Sequence, residues 1–105
     1  MTTFNDREKG FENMFAHDAE MQFKAVARRN RLLGMWAASL LGKSGDEATA
    51  YAMEVVKSDF VEAGDEDVFR KVSGDLADRA DEATVRAKMT ELLAMAKAQI
   101  FTETS

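Results

Sequence analysis

The chain has 105 residues, 46% of them apolar and 31% charged, so it is long enough for one modest core and is neither disordered overall nor membrane-embedded. It contains no cysteine, which excludes disulfides and thiolate metal sites, and no apolar run approaches the roughly 20 residues that span a bilayer. The net charge of −5 makes it a poor nucleic-acid binder.

The first segment, residues 4–18, carries an apolar face that does not continue into the helix after it. Phe4, Phe11 and Phe15 share one helical face, with Met14 at its edge, and Asp18 interrupts that face. Because so short a segment is marginal as an isolated helix in water, we expect residues 1–18 to be largely disordered in the free protein. Its phenylalanines either fold back onto the other helices or become helical in a partner's groove.

The absence of proline and the plentiful alanine, methionine, glutamate and lysine predict helices throughout the rest of the chain. The first is predicted over residues 19–41, and Gly42 is expected to end it as a C-cap glycine. Apolar residues recur there at steps of three and four, which predicts one buried stripe: Ala25, Leu32, Leu33, Trp36, Ala37 and Leu40.

The second helix is predicted to start at Ser44, which forms a capping-box pattern with Glu47. Gly64 is expected to end this helix. Its predicted core stripe contains Ala48, Tyr51, Ala52, Val55, Val56 and Phe60.

Two further helices are predicted to begin at acidic N-caps, the third at Asp65 and the fourth at Asp81. The inner face of the third holds Val68, Phe69, Val72 and Leu76, and that of the fourth holds Val85, Met89, Leu92, Leu93, Ala96 and Ile100. The pattern predicts an all-α fold: a four-helix bundle over residues 19–101, a flexible segment over 1–18 and a frayed tail over 102–105.

Charge is distributed unevenly along the chain. Residues 21–45 carry five bases and no acid, whereas residues 46–82 carry twelve acids and four bases. Lys24, Arg28 and Arg31 fall on one helical face, with Arg29 beside it. This basic face either pairs with the acidic helices of the same chain, or contacts an acidic partner or a nucleotide phosphate.

The remaining sequence motifs do not indicate a catalytic site. Gly42-Lys43-Ser44 matches the end of a phosphate-binding loop, but Ala37 stands where that motif needs glycine, so we interpret it as a helix stop and a cap. His17 is the one histidine, which is too few for a zinc site in a chain without cysteine; it is either a solvated residue or a pH sensor. No arrangement of nucleophile and base is recognisable.

Three stretches resemble the zeta inhibitor subunit family of alphaproteobacterial F-type ATP synthases: residues 11–18 (FENMFAHD), 23–38 (FKAVARRNRLLGMWAA) and 64–71 (GDEDVFRK). The resemblance covers essentially the whole chain. It implies a four-helix bundle whose mobile N-terminal segment inserts between the alpha and beta subunits of the catalytic head, against the gamma subunit, and blocks ATP hydrolysis. The protein would be cytoplasmic, peripheral to the inner membrane through ATP synthase, monomeric when free and without direct membrane insertion.

Carried over by position, the resemblance implies a partner-binding set in the N-terminal segment: Phe4, Arg7, Glu8, Phe11, Met14, Phe15 and His17. It implies no required cofactor and no metal, with weak ADP or ATP binding in isolated members. Candidate contacts for a nucleotide or an acidic partner are Lys24, Arg28, Arg29 and Arg31. The alternative function is a helical module that responds to adenine nucleotides without strong inhibitory activity.

Overall fold

The computed structural model describes residues 19–59 and 65–104, and these form four α-helices without a strand. The helices are α1 (Ala19–Leu40), α2 (Gly45–Ser58), α3 (Glu66–Leu76) and α4 (Glu82–Thr104), with a 3₁₀ turn at Ala77–Arg79. The all-α class and the four-helix bundle are confirmed. None of these helices is both long enough and apolar enough to cross a bilayer. The expectations for residues 1–18 and Phe60 concern positions outside the described residues. The predicted end of the second helix at Gly64 is wrong, because α2 ends at Ser58 with Asp59 as its C-cap.

The predicted stop after α1 is confirmed at Gly42, which has a φ of +77°. The Lys43 amide donates to the Ala38 carbonyl at 2.9 Å, and the Gly42 amide donates to the Ser39 carbonyl at 3.2 Å. These two bonds form a Schellman motif, in which a left-handed residue turns the chain back over the last carbonyls. The Gly42-Lys43-Ser44 pattern is therefore a helix stop.

The predicted capping box at α2 is wrong. Ser44 precedes the helix in extended geometry, but its side chain makes no capping hydrogen bond. The next residue, Gly45, adopts a φ of +56°, so the chain enters α2 through a left-handed turn instead of the usual capped geometry.

The two predicted acidic caps have different outcomes. Asp81 is confirmed, because its Oδ1 accepts the Thr84 amide at 2.8 Å. Asp65 stands at the start of α3 but makes no side-chain cap bond, because its carboxylate accepts a charge-assisted bond from the Arg29 guanidinium. A bond to a buried cation therefore replaces the bond to the helix amides.

The core forms where the predicted stripes of all four helices meet, and most of their residues are buried. Leu40 is the exception in α1, since it is 39% exposed, and Leu41 packs against the core instead. Leu93 is only half-buried and belongs to a second, smaller cluster, in which Ile100 of α4 packs with Met21 and Ala25 of α1. This second cluster joins the first turns of α1 to the last turns of α4.

Helices α1 and α2 cross in close contact at Gly34 and Ala52. A Cβ atom added to Gly34 would lie 2.5 Å from the Ala52 Cα, which is well inside van der Waals contact. The small residues bring the two backbones together and set the spacing of the bundle at this crossing.

The end of α4 is fixed to α1 by Arg28, whose guanidinium makes a two-pronged contact with the Glu103 carboxylate. The helix therefore extends beyond residue 101, where the sequence predicts a frayed tail, and ends at Thr104.

Candidate functional site

A groove of about 530 Å³ opens at the end of the bundle where α1 begins and where α2 and α4 end. Its apolar lining includes two side chains with large exposed fractions, Phe23 at 61% and Met53 at 47%. The full lining is Phe23, Lys24, Ala27, Arg28 and Arg31 from α1, Met53 and Val56 from α2, and Ile100 and Glu103 from α4.

Three of the four basic residues predicted from the sequence line this groove together: Lys24, Arg28 and Arg31. The three side chains differ in how firmly ion pairs within the chain hold them. Lys24 lies 3.5 Å from Glu20, a pair in which both side chains are more than half exposed, so the pairing contributes little. Arg31 is exposed and makes no ion pair within the described part of the chain.

The third basic residue, Arg28, is held in place by Glu103. Its guanidinium donates to both carboxylate oxygens, and these hydrogen bonds lower the pKa of Glu103 below the usual range. The groove therefore has one fixed cation between two freer ones, with a single carboxylate among its lining residues.

The fourth predicted contact, Arg29, is only 1% exposed and lies inside the bundle. Its Nη2 donates to Asp65 Oδ1 at 2.8 Å, and its Nε donates to Asn30 Oδ1 at 2.8 Å. The hydrogen bond from Arg29 lowers the pKa of Asp65, whereas burial raises the pKa of the neighbouring Asp59. For Arg29 the contacts match the structural alternative, in which the basic region pairs with the chain's own acidic helices.

A second polar cluster joins α2 to α3. The Tyr51 hydroxyl donates to Asp75 Oδ2 at 2.9 Å, and Lys71 Nζ donates to the same oxygen at 3.1 Å. Lys71 also lies 5.3 Å from the centre of the Tyr51 ring. Burial, followed by the bond to Asp75, raises the pKa of Tyr51 well above its usual range. These contacts fix α3 against α2, so we assign them to the fold and not to a site.

The predicted N-terminal contacts, from Phe4 to His17, lie outside the described residues and stay predictions. The described chain begins at Ala19, and Phe23 stands one helical turn further along α1. The groove is thus close to the point where residues 1–18 join the bundle.

Sequence reasoning missed Phe23 and Met53 as surface residues of the groove. A signal was present for Phe23, because it is a large aromatic residue that falls outside the predicted stripe of α1. The same signal was present for Met53, because it is a large apolar residue that falls outside the predicted stripe of α2.

The chain is similar to known proteins in both sequence and fold. A protein of known solution NMR structure is 66% identical to this chain in sequence, and its fold is similar, with a TM-score of 0.73. The similarity covers 79% of this chain and 98% of that one. No curated protein matches the chain. A family model, ATPase inhibitor subunit zeta, matches residues 1–99. The chain therefore belongs to the ATPase inhibitor subunit zeta family.

Proposed function

We propose that this protein is a regulatory inhibitor of the F-type ATP synthase, and that it blocks ATP hydrolysis by inserting residues 1–18 between the alpha and beta subunits, against the gamma subunit. The observation that carries the proposal is the family match, which spans residues 1–99 and so includes the segment before α1. The protein would be cytoplasmic, monomeric when free, and peripheral to the inner membrane through the enzyme that it inhibits.

The energetics of insertion depend on the three phenylalanines of residues 1–18. Ordering such a segment on binding costs about 2–5 kcal/mol. Burying Phe4, Phe11 and Phe15 would contribute roughly 1.5–3 kcal/mol each, which is enough to offset that cost. A helix inserted at an interface that must open during rotation would stop hydrolysis mechanically. The bundle would act as the anchor that holds the segment at the enzyme.

The test compares ATP hydrolysis by the isolated catalytic head in the presence of the full chain and of a chain lacking residues 1–18. Inhibition by the full chain alone, with the truncated bundle still helical and cooperatively folded, is the expected result. Equal inhibition by both chains would refute insertion of this segment.

Single substitutions sharpen the same assay. Phe11→Ser removes a side chain from the proposed apolar face, whereas Asn13→Ser changes a position outside the predicted contacts. We expect inhibition to weaken in the first variant and to stay unchanged in the second. Equal potency of the two variants would argue against the apolar face.

His17 lies within the proposed inhibitory segment, and the ordinary histidine pKa near 6.5 would make inhibition respond to pH. Inhibition by the His17→Ala variant should then lose any dependence on pH between about 6 and 8. If wild type and variant have the same pH profile, His17 is only a solvated residue.

A second candidate function is binding of an adenine nucleotide, which the three cations of the groove favour. Against it, the lining residues lie beyond the first four positions of their helices, so their backbone amides are already bonded within the helix and none of them can hold a phosphate. Titration with ADP tests this function: binding that is lost in Arg28→Ala and Arg31→Ala would support it, and absence of binding to wild type would exclude it.

A further inference from the structure

We infer that the groove beside α1 is a second docking surface, and that it takes an acidic, amphipathic surface helix of the same enzyme that residues 1–18 inhibit. This inference rests on the proposed function and extends it, because it assigns an enzyme contact to the folded bundle.

Two large apolar side chains of the groove are exposed to solvent and are not part of the buried core. Phe23 and Met53 stand on different helices and are 61% and 47% exposed, whereas Ile100, which also lines the groove, is only 4% exposed. Aromatic residues, including phenylalanine, and methionine are enriched in protein interfaces relative to the rest of the surface. The apolar part of the occupant would cover these side chains.

The charged residues of the groove indicate the sign of the charge on the partner. Three cations and one carboxylate line it, although the whole chain has a net charge of −5. Arg31 makes no ion pair within the described residues, and the pair that Lys24 forms with Glu20 is exposed. These two cations are available to carboxylates on a partner, while Arg28 remains bound to Glu103.

The shape of the groove favours a helix as its occupant. Phe23 and Arg31 are eight residues apart on α1, which corresponds to roughly 12 Å, or about two helical turns. Apolar side chains from three helices lie within that length. An amphipathic helix placed in such a groove buries apolar residues and directs its acidic residues to the basic rim.

The position of the groove favours the inhibited enzyme as the source of that helix. Phe23 stands four residues beyond Ala19, which is roughly 6 Å along the helix axis. A protein that holds residues 1–18 is therefore brought next to the groove. Contact at both places would be bivalent, so each contact would strengthen the other.

The apolar part of the inference is tested with the full chain by comparing Phe23→Ala with Met35→Ala. Met35 is 42% exposed on the same helix and does not line the groove, so it is a matched control. Binding to the isolated catalytic head, measured apart from hydrolysis, should weaken about tenfold in Phe23→Ala and remain unchanged in the control. Thermal melts of both variants check that the bundle stays folded.

The charge of the partner is tested with Arg31→Glu, for which Arg79→Glu is the control because Arg79 is exposed and distant in sequence from the groove. We expect Arg31→Glu to slow association about tenfold at low salt, and the difference from wild type to shrink as salt is added. An unchanged association rate would overturn the assignment of an acidic partner.

The remaining outcomes separate this inference from the proposed function. If wild type does not bind the head, both fail. If wild type inhibits and Phe23→Ala binds as tightly, the groove is not a docking surface, but the proposed function stands. Binding that depends on Phe23 without inhibition would support the groove and refute the inhibitor. Tighter binding by Phe23→Ala, or self-association that this substitution removes, would assign the groove to the chain itself and overturn the inference.

Discussion

Replacing Gly34 by alanine adds one methyl group at the tightest crossing of the bundle. The added Cβ would lie 2.5 Å from the Ala52 Cα and 3.0 Å from the Ala52 Cβ. Carbon atoms in contact normally stand about 3.5–4.0 Å apart, so α1 and α2 would have to separate by about 1 Å. The atom in the way belongs to the backbone of a helix, so no rotation of a side chain relieves the clash.

Two opposing contributions to the free energy of unfolding determine how much Gly34→Ala changes stability. Alanine is favoured over glycine inside a helix by about 0.8–1 kcal/mol. Overpacking a core costs about 1–3 kcal/mol, and a clash with backbone belongs at the upper end of that range. The expected net loss is about 1–2 kcal/mol, which should lower the melting temperature by roughly 4–16 °C.

The matched control is Gly74→Ala, because Gly74 lies in α3 with nothing within 4 Å of the position its Cβ would take. That variant should keep the propensity gain without the clash, and melt roughly 4 °C higher than wild type. The difference between the two variants then isolates the steric term. Both melts can be followed by circular dichroism. If Gly34→Ala melts at or above wild type, the close crossing is not a feature of the folded protein.

Three other substitutions test the core and the polar clusters. Leu92→Ala removes a side chain that is 5% exposed and should cost about 2–5 kcal/mol in a thermal melt; a shift near zero would contradict its place in the core. Tyr51→Phe removes the donor to Asp75 and should cost about 0.5–1.5 kcal/mol. Because folding raises the pKa of Tyr51, wild type should lose stability as pH rises above about 10 and the variant should lose less; identical losses would refute this. Asp65→Asn should be less stable than wild type at neutral pH. The lowered pKa of Asp65 stabilises wild type above pH about 4, and that contribution disappears as pH falls through the folded pKa, so the two melting temperatures should converge at low pH.

The sequence alone was enough to predict the helices and their order. Glycine at position 42 has one inexpensive conformation at a helix end, so the stop after α1 could be located without knowing what α1 packs against. The apolar stripes were equally local, since a period of three and four residues places them on one face. That argument failed at Leu40, which is 39% exposed, whereas the next residue, Leu41, packs against the core in its place.

The features that depend on distant residues could not be predicted in this way. Arg29 was placed beside a surface face, because nothing near it in sequence shows that Asp65, thirty-six positions further along, lies within 2.8 Å of it. The same pairing removed the predicted cap from Asp65. No role could be predicted for Gly34. From the sequence alone, a glycine within a helix indicates only lower helix stability, because the close contact with Ala52 on another helix is not visible there. The groove likewise could not be predicted, because it depends on the start of α1 lying near the ends of α2 and α4.

The contact between Arg28 and Glu103 has a practical consequence for anyone who produces this protein. It holds the last turn of α4 against the first half of α1, so the C-terminal end of the described chain lies beside the groove. An affinity tag or fluorescent fusion added after residue 105 would therefore be placed near the surface that the binding experiments are meant to measure. A label on an exposed side chain of the 3₁₀ turn at Ala77–Arg79 would avoid the groove, whose lining residues come only from α1, α2 and α4.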